Sequence, residues 1–194
     1  MDTFGYNEAR GRVLYRDLLD RVAELPGVRA GSLSEMLPLG TAERTEGVTI
    51  EGSPAPGLGE SGPAVVDDVS VAPNYFRTMG IPLLEGRDFT ARDVQGAPRV
   101  VIINDVMAAR FWPHQNPIGR HVIMGGPEDP AARQVCEVIG VAKAGKYRTL
   151  GEDPQPFMYK PYWQNYVPRV RLIDRKSTRL NSSHEIPSRM PSSA

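Results

Sequence analysis

Between residues 7 and 25, apolar side chains recur at spacings of three and four. Val13, Leu14, Leu18, Val22 and Leu25 make one stripe, and Arg12, Arg16, Asp20 and Glu24 stand on the other side. That period predicts an amphipathic helix over 7–25 that buries the stripe. Asn7 is placed to cap it, Glu8 suits the positive end of the helix dipole, and Pro26-Gly27 stops it. Residues 28–37 then read as an extended segment ending at Pro38-Leu39-Gly40, and Gly47-Val48-Thr49-Ile50-Glu51 as a short alternating strand. A helix so early in a chain ordinarily packs on something before it, so a missing preceding strand is expected.

Residues 52–63 hold four Gly and three Pro and read as a loop. A strand follows over 64–71. Residues 73–80 form a short helix with Pro73 at its start and Gly80 at its end, and 81–89 make a compact connector. Residues 99–103 are an apolar strand, after which Asn104 or Asp105 caps a short helix through Phe111 and Trp112, closed by Pro113. Residues 135–141 read as a strand and 156–162, flanked by prolines, as an edge strand or extended strap. Residues 167–173 begin another strand. Strands and short helices interleave without regular βαβ lengths, which predicts an α+β fold with two small sheet-bearing lobes. No repeat of solenoid period occurs.

Composition narrows this picture only by exclusion. The 194 residues fit one domain or two small, closely packed ones, and 40% apolar with 24% charged residues is ordinary for a globular fold. The formal net charge is zero, so no basic excess recruits nucleic acid. The single cysteine, Cys136, excludes an internal disulfide framework and a cysteine-based zinc site, and its apolar surroundings predict a buried core residue. No run reaches the roughly 18–20 apolar residues of a membrane helix, and residues 1–6 carry no signal-peptide pattern. Alone, these absences predict a soluble, cytoplasmic protein, provided that the chain is complete.

The last residues change character. Asp174-Arg175-Lys176-Ser177-Thr178-Arg179-Leu180-Asn181-Ser182-Ser183-His184 is polar and without period. It resembles the conceptual translation of a common short-read sequencing adapter, and Ser188-Arg189-Met190-Pro191-Ser192-Ser193-Ala194 resembles that adapter's far end in the same frame. Glu185-Ile186-Pro187 would span the variable index between them. Residues 174–194 are therefore expected to be a non-native, disordered tail. Residues 1–173 then hold 19 of the 23 basic and 21 of the 23 acidic side chains, and His184 is available to no site.

The search for chemistry finds no reactive grouping. Neither a dinucleotide fingerprint nor a phosphate-binding loop occurs, and the nearest string, Gly140-Val141-Ala142-Lys143-Ala144-Gly145-Lys146, has the wrong glycine spacing and is followed by Tyr147. His114 and His121 read as surface histidines without metal-ligand logic. Asp67-Asp68, Arg87-Asp88 and Arg92-Asp93 could serve acid–base chemistry, but as a type such residues more often are solvated or form weak surface ion pairs. Ser32, Ser34 and Ser70 lack a nucleophile-elbow context. Phe157, Tyr159, Tyr162, Trp163 and Tyr166 fit a packed strap or a protein contact better than a ligand platform. No catalytic, cofactor-binding or metal-ligating residue is assigned, and no cofactor is expected.

Several strings resemble the MacB-like periplasmic core domain of ABC transporter permeases, particularly an acidobacterial-type permease group. They are Gly5-Tyr6-Asn7-Glu8-Ala9-Arg10-Gly11, Leu25-Pro26-Gly27-Val28 and the long run Val71-Ala72-Pro73-Asn74-Tyr75-Phe76-Arg77-Thr78-Met79-Gly80-Ile81-Pro82-Leu83-Leu84-Glu85-Gly86-Arg87-Asp88-Phe89. Val101-Ile102-Ile103-Asn104-Asp105, Phe111-Trp112-Pro113, Asn116-Pro117-Ile118-Gly119, Val138-Ile139-Gly140-Val141 and Lys146-Tyr147-Arg148-Thr149-Leu150-Gly151 complete the set in the expected order. Ala142-Lys143-Ala144-Gly145 departs from the family's more usual Val-Gly-Asp-Val-like stretch.

The resemblance implies one extracytoplasmic core domain of two subdomains, Porter-like and Sabre-like, truncated at both ends, and a periplasmic location on an inner-membrane protein. It implies mechanotransmission in export or efflux rather than enzyme activity. The implied partners are the permease's own membrane helices, a cytoplasmic ATPase subunit and a second permease copy in a homodimer. A periplasmic adaptor or outer-membrane channel is a further candidate partner; nucleic acid is not. Within this frame, residues 113–119 are expected to join the lobes and 52–63 to be a mobile surface excursion. The alternative is a free-standing periplasmic ligand-binding module; a weaker one is a small hydrolase.

Overall fold

Asn7 stands in an extended conformation and its side chain accepts a hydrogen bond from the Arg10 N–H at 3.0 Å. The first helix, α1 (Glu8–Ala23), thus begins where its cap predicts. Its buried face differs from the expected one. Gly11 and Val22 are buried and Tyr15 and Leu19 pack into a core cluster, while Val13, Leu14 and Leu25 face outward at 60%, 47% and 54% exposure. The face with Gly11 wins because the absent side chain there makes room for the Tyr166 ring, and Tyr15 buries its ring while its hydroxyl donates to the Pro168 carbonyl at 2.9 Å.

The computed structural model describes residues 7–40, 44–51, 63–125 and 133–177. Nine strands lie among them: β1 (Val28–Ser34), β2 (Thr45–Ile50), β3 (Ala64–Val71), β4 (Leu83–Gly86), β5 (Val100–Asn104), β6 (His121–Met124), β7 (Gln134–Ala142), β8 (Phe157–Pro161) and β9 (Arg171–Lys176). Two short helices, α2 (Tyr75–Met79) and α3 (Asp105–Phe111), complete an α+β fold. No helix among the described residues is long and apolar enough to cross a membrane.

The strands form one continuous network. Because β2 pairs with both β6 and β3, the path β2-β6-β7-β5-β8-β3 returns to its start as a closed ring of six strands. β4 lies along β7, and β1 and β9 form a two-stranded arm. The arm's register with the ring consists of Ser34 opposite Val71. The two sheet-bearing lobes expected from the sequence are therefore two unequal parts of one sheet.

Alternation of side chains, a consequence of the pleat, fills the ring from inside. Val48, Val66, Val101, Ile103, Val122, Val138 and Met158 share one cluster with Met107 and Phe111 of α3. The opposite faces of β3, β5 and β8 present Val69, Ile102 and Tyr159 to Tyr75 and Phe76 of α2. Helix α2 is short because Gly80 ends it at φ 72°.

Four expectations are corrected. Residues 156–162 do not form an edge: β8 runs parallel to β3 and antiparallel to β5, with all five residues buried. Its prolines bound the strand, Pro161 being its last residue, so no interior ladder bond is lost. Residues 113–119 connect α3 to β6, both on the ring, and so join no two parts. The connector 81–89 contains a strand, β4, and β6 was not anticipated at all, since four residues carry too little periodicity. Finally, pairing does not stop at Ile173. Asp174, Arg175 and Lys176 continue β9 opposite Gly31, Ala30 and Val28. Their side chains are exposed, and an open strand edge recruits any extended backbone through main-chain bonds that are blind to side-chain identity. Residues 178–194, and 52–62 of the expected loop, lie outside the described residues.

Candidate functional site

The alternation that turns Val66 into the ring also turns Asp68 inward, and the one that buries Met158 buries Lys160. Both charged residues are almost fully buried, at 0% and 3% exposure. Lys160 Nζ lies 2.5 Å from Asp68 Oδ2, Arg44 Nε lies 3.3 Å from the same oxygen, and Glu46 Oε2 lies 3.4 Å from Lys160 Nζ. The Lys160 ammonium is thus within hydrogen-bond distance of Asp68 Oδ2, and charge attraction adds to the contact. Burial raises the Asp68 carboxyl above its ordinary pKa, and Lys160 and Arg44 hold it back only in part. Arg44 reaches on to Glu35 at 2.8 Å, and Glu35 accepts from the Ser70 N–H at 3.3 Å. A line of charges thus runs from the ring interior to the junction with the arm.

Asp67 points the other way and pairs with Arg148 at 2.6 Å. The expectation of a solvated Asp67-Asp68 pair is therefore overturned: both are buried, on opposite faces of β3. Arg87 pairs not with its neighbour Asp88 but with Asp93, in two parallel bonds of 2.9 Å. The Asp88 carboxylate accepts from the Phe89 N–H at 2.7 Å, and Arg92 is exposed. Burial pushes Asp93 up, but Arg87 and the N–H and hydroxyl of Thr90 outweigh it and leave the carboxyl below its usual range.

Several of the remaining sequence candidates have structural partners. Ser32 donates to the Ala72 carbonyl at 3.0 Å and Ser34 to Met36 at 2.5 Å. Ser70, like them, is buried. His121 Nδ1 lies 2.6 Å from Glu51 Oε2, and His114 is exposed. Cys136 is buried and its thiol is pushed up to about 11, which leaves it protonated and unreactive at neutral pH. In the string 140–146, Lys143 is held by Asp105 at 2.6 Å and Lys146 by the Leu150 carbonyl.

The aromatic group divides between two cores. Phe157 stacks on Tyr147 at 4.0 Å and Tyr159 meets Phe76 edge-on at 4.8 Å, whereas Tyr162 and Trp163 pack with Tyr15 and Tyr166. Tyr75, Tyr147 and Tyr159 link their hydroxyls in a chain of 3.2 and 2.9 Å, and burial raises all three phenols. Among the described residues no group of three potential metal ligands occurs.

A cleft of about 520 Å³ opens between α1, the start of β1 and α2. Arg16 and Asp20 line it from α1, Arg29 from β1, and Asn74 and Arg77 from the N-cap and last turn of α2. Trp163 closes one side, with the Arg16 guanidinium 5.2 Å from its ring centre. Gly31 lets Val22 of α1 approach β1 closely and so sets one wall. Neither this cleft nor the role of Lys160 was anticipated. The alternation Phe157-Met158-Tyr159-Lys160 would have placed Lys160 in phase with a core residue; the arginines sit on three separate elements and share no local signal.

The described residues thus form a six-stranded ring with an attached two-stranded arm. Residues 7–183 match the family model of the MacB-like periplasmic core domain, and the chain belongs to that family. It is a periplasmic domain of the kind carried by ABC transporter permeases. Over 101 residues it is 31% identical to the macrolide export ATP-binding/permease protein MacB of Sodalis glossinidius, a stretch covering 51% of this chain and 14% of that protein. The chain thus spans about one seventh of the curated relative's length. The crystal structure of the periplasmic region of MacB from Actinobacillus actinomycetemcomitans superposes with a TM-score of 0.56 at 16% identity, over 86% of this chain and 66% of that one. The extracellular domain of the ABC-type transporter YknZ from Gram-positive bacteria gives 0.53 at 18% identity, over 84% and 73%. At such identities the likeness is one of fold.

Proposed function

We propose that this domain is the coupling element of an ABC transporter permease of export or efflux type. Cytoplasmic ATP hydrolysis moves the membrane helices, and the domain turns that movement into motion on the periplasmic side. Its partners in this reading are the permease's own membrane helices, a cytoplasmic ATPase subunit, a second permease copy, and an adaptor or outer-membrane channel. Hydrolysis belongs to the ATPase, so the isolated chain turns over no ATP. The observation that supports the reading is the narrow join between arm and ring, Ser34 opposite Val71. The ladder joining arm and ring is short, and the rest of their contact is side-chain packing of Leu33 with Ala72 and Tyr162 and of Ile173 on the α2 core, which permits small sliding shifts.

The same junction supplies the test. The Glu35 N–H donates to the Ser70 carbonyl and the Ala72 N–H to the Leu33 carbonyl, each at 2.9 Å. Ser34 and Val71 therefore form a non-hydrogen-bonded antiparallel pair, whose Cα atoms lie about 4.5 Å apart, within disulfide range. In a full-length transporter carrying Ser34→Cys and Val71→Cys, oxidation should stop transport while ATP hydrolysis continues, and reduction should restore it. Unchanged transport in the cross-linked protein would refute coupling through this junction.

A further inference from the structure

We propose that the cleft between α1 and α2 binds the phosphate group of a small phosphate ester, a role that goes beyond the coupling reading and does not depend on it. Its volume of about 520 Å³ falls in the range of roughly 300–1,000 Å³ typical of small-molecule sites. Arg16, Arg29 and Arg77 line it, with Asp20 as the one acidic residue among the lining side chains. Four arginines outside the cleft have carboxylate partners: Arg12 pairs with Glu8, Arg44 with Glu35, Arg87 with Asp93 and Arg148 with Asp67. The three cleft arginines have no ion pair among the described residues.

The chain's formal net charge is zero, so this local excess is a matter of placement, and convergent like charges favour an anion between them. Three positive charges less one negative match a phosphate monoester dianion in sign and size. The planar fork of arginine suits phosphate oxygens in two parallel bonds. The Asn74 side chain does not cap α2, which leaves its amide available as a further donor. Trp163, with Leu19 and Val28, offers an apolar wall for the remainder of the ester.

The phosphate could come from a soluble monoester or from a lipid headgroup, a diester with one negative charge, and both offer anionic phosphate oxygens to the arginines. The 194-residue chain is titrated with phenyl phosphate in one arm and with phosphatidylglycerol vesicles, against phosphatidylcholine vesicles, in the other. Ionic strength is held constant with sodium chloride. Trp163 fluorescence reports binding. The only other tryptophan, Trp112, lies in the ring core, and Trp163→Phe identifies the signal that belongs to the cleft.

A saturable response is expected in at least one arm. Arg29→Ala and Arg77→Ala should each weaken it about tenfold, the usual scale for losing a charge-assisted contact. Asp20→Asn should tighten it roughly threefold by removing the repelling carboxylate. Circular dichroism melting of each variant separates lost binding from lost folding. Response to phenyl phosphate marks a soluble ligand; response to phosphatidylglycerol vesicles alone marks a headgroup. Silence in both arms, or affinities within twofold of one another across the three variants, overturns the proposal.

Discussion

Lys160 Nζ and Asp68 Oδ2 meet at 2.5 Å inside the closed ring, in a setting where neither side chain reaches water. Removing one partner leaves the other charge buried, so Lys160→Met should cost about 3–5 kcal/mol in urea unfolding at neutral pH. The double variant Asp68→Leu/Lys160→Met should cost far less, because it leaves no orphaned charge. The pH dependence has a definite sign. Asp68 is raised in the folded state, so its protonated form favours folding, and that stability is present below the ordinary carboxylate range and lost as pH rises through the folded value. Without Lys160 the shift grows, and the deficit of Lys160→Met should shrink on acidification. A deficit that is constant from neutral pH into the acid range would show that Asp68 is not the group exposed by the substitution.

Asp93 predicts the opposite slope. Its carboxylate takes two bonds from Arg87 and further bonds from the Thr90 N–H and hydroxyl, and its pKa is lowered in the folded state. The stability it contributes is present above the unfolded carboxylate pKa and lost as pH falls through the depressed folded value. Asp93→Asn should therefore destabilise by about 1.5–3 kcal/mol at pH 7, the scale of bonds to charged groups. The wild-type and variant unfolding curves should converge in acid. Divergence there would contradict the assignment.

Phe76 is 1% exposed and touches both Tyr159 and Phe89, while its neighbour Met79 is only partly buried. Phe76→Ala should cost about 3–5 kcal/mol and Met79→Ala distinctly less. Equal losses at the two positions in chemical denaturation would mean that α2 does not present Phe76 to the core.

The tail offers a truncation series. We propose that residues 174–194 are a non-native extension, on the strength of their adapter resemblance, of which 174–176 are recruited to the edge of β1. A chain ending at Ser177 should then melt where the full chain does. A chain ending at Ile173 loses the pairing of Asp174, Arg175 and Lys176 with β1, and should melt a few degrees lower, at about 2–4 °C per kcal/mol for a domain of this size. A drop on removing 178–194 alone would assign that segment a part in the fold.

Local pattern alone determined a good deal. Asn7 and Asn104 cap α1 and α3 as their positions require, and the apolar runs at 64–71, 99–103 and 135–141 are strands because alternation and β-branching are properties of a few consecutive residues. The family was legible for the same reason: its motif over 71–89 is made of packing and turn residues that need no partner to be recognised.

Tertiary structure decided the rest. Two overlapping stripes compete for the buried face of α1, and contact with Tyr166 and the 166–170 segment selects Gly11, Tyr15 and Leu19 over Val13 and Leu14. Closure of the ring depends on β2 finding β6 on one side and β3 on the other, and the central place of β8 on parallel pairing with a strand far away in sequence. The Asp68–Lys160 contact and the arginine cleft follow from those pairings. Hydrogen-bond partners and side-chain convergence are set by long-range geometry, and a one-dimensional period carries information only about which face a residue occupies, not about what will stand opposite it.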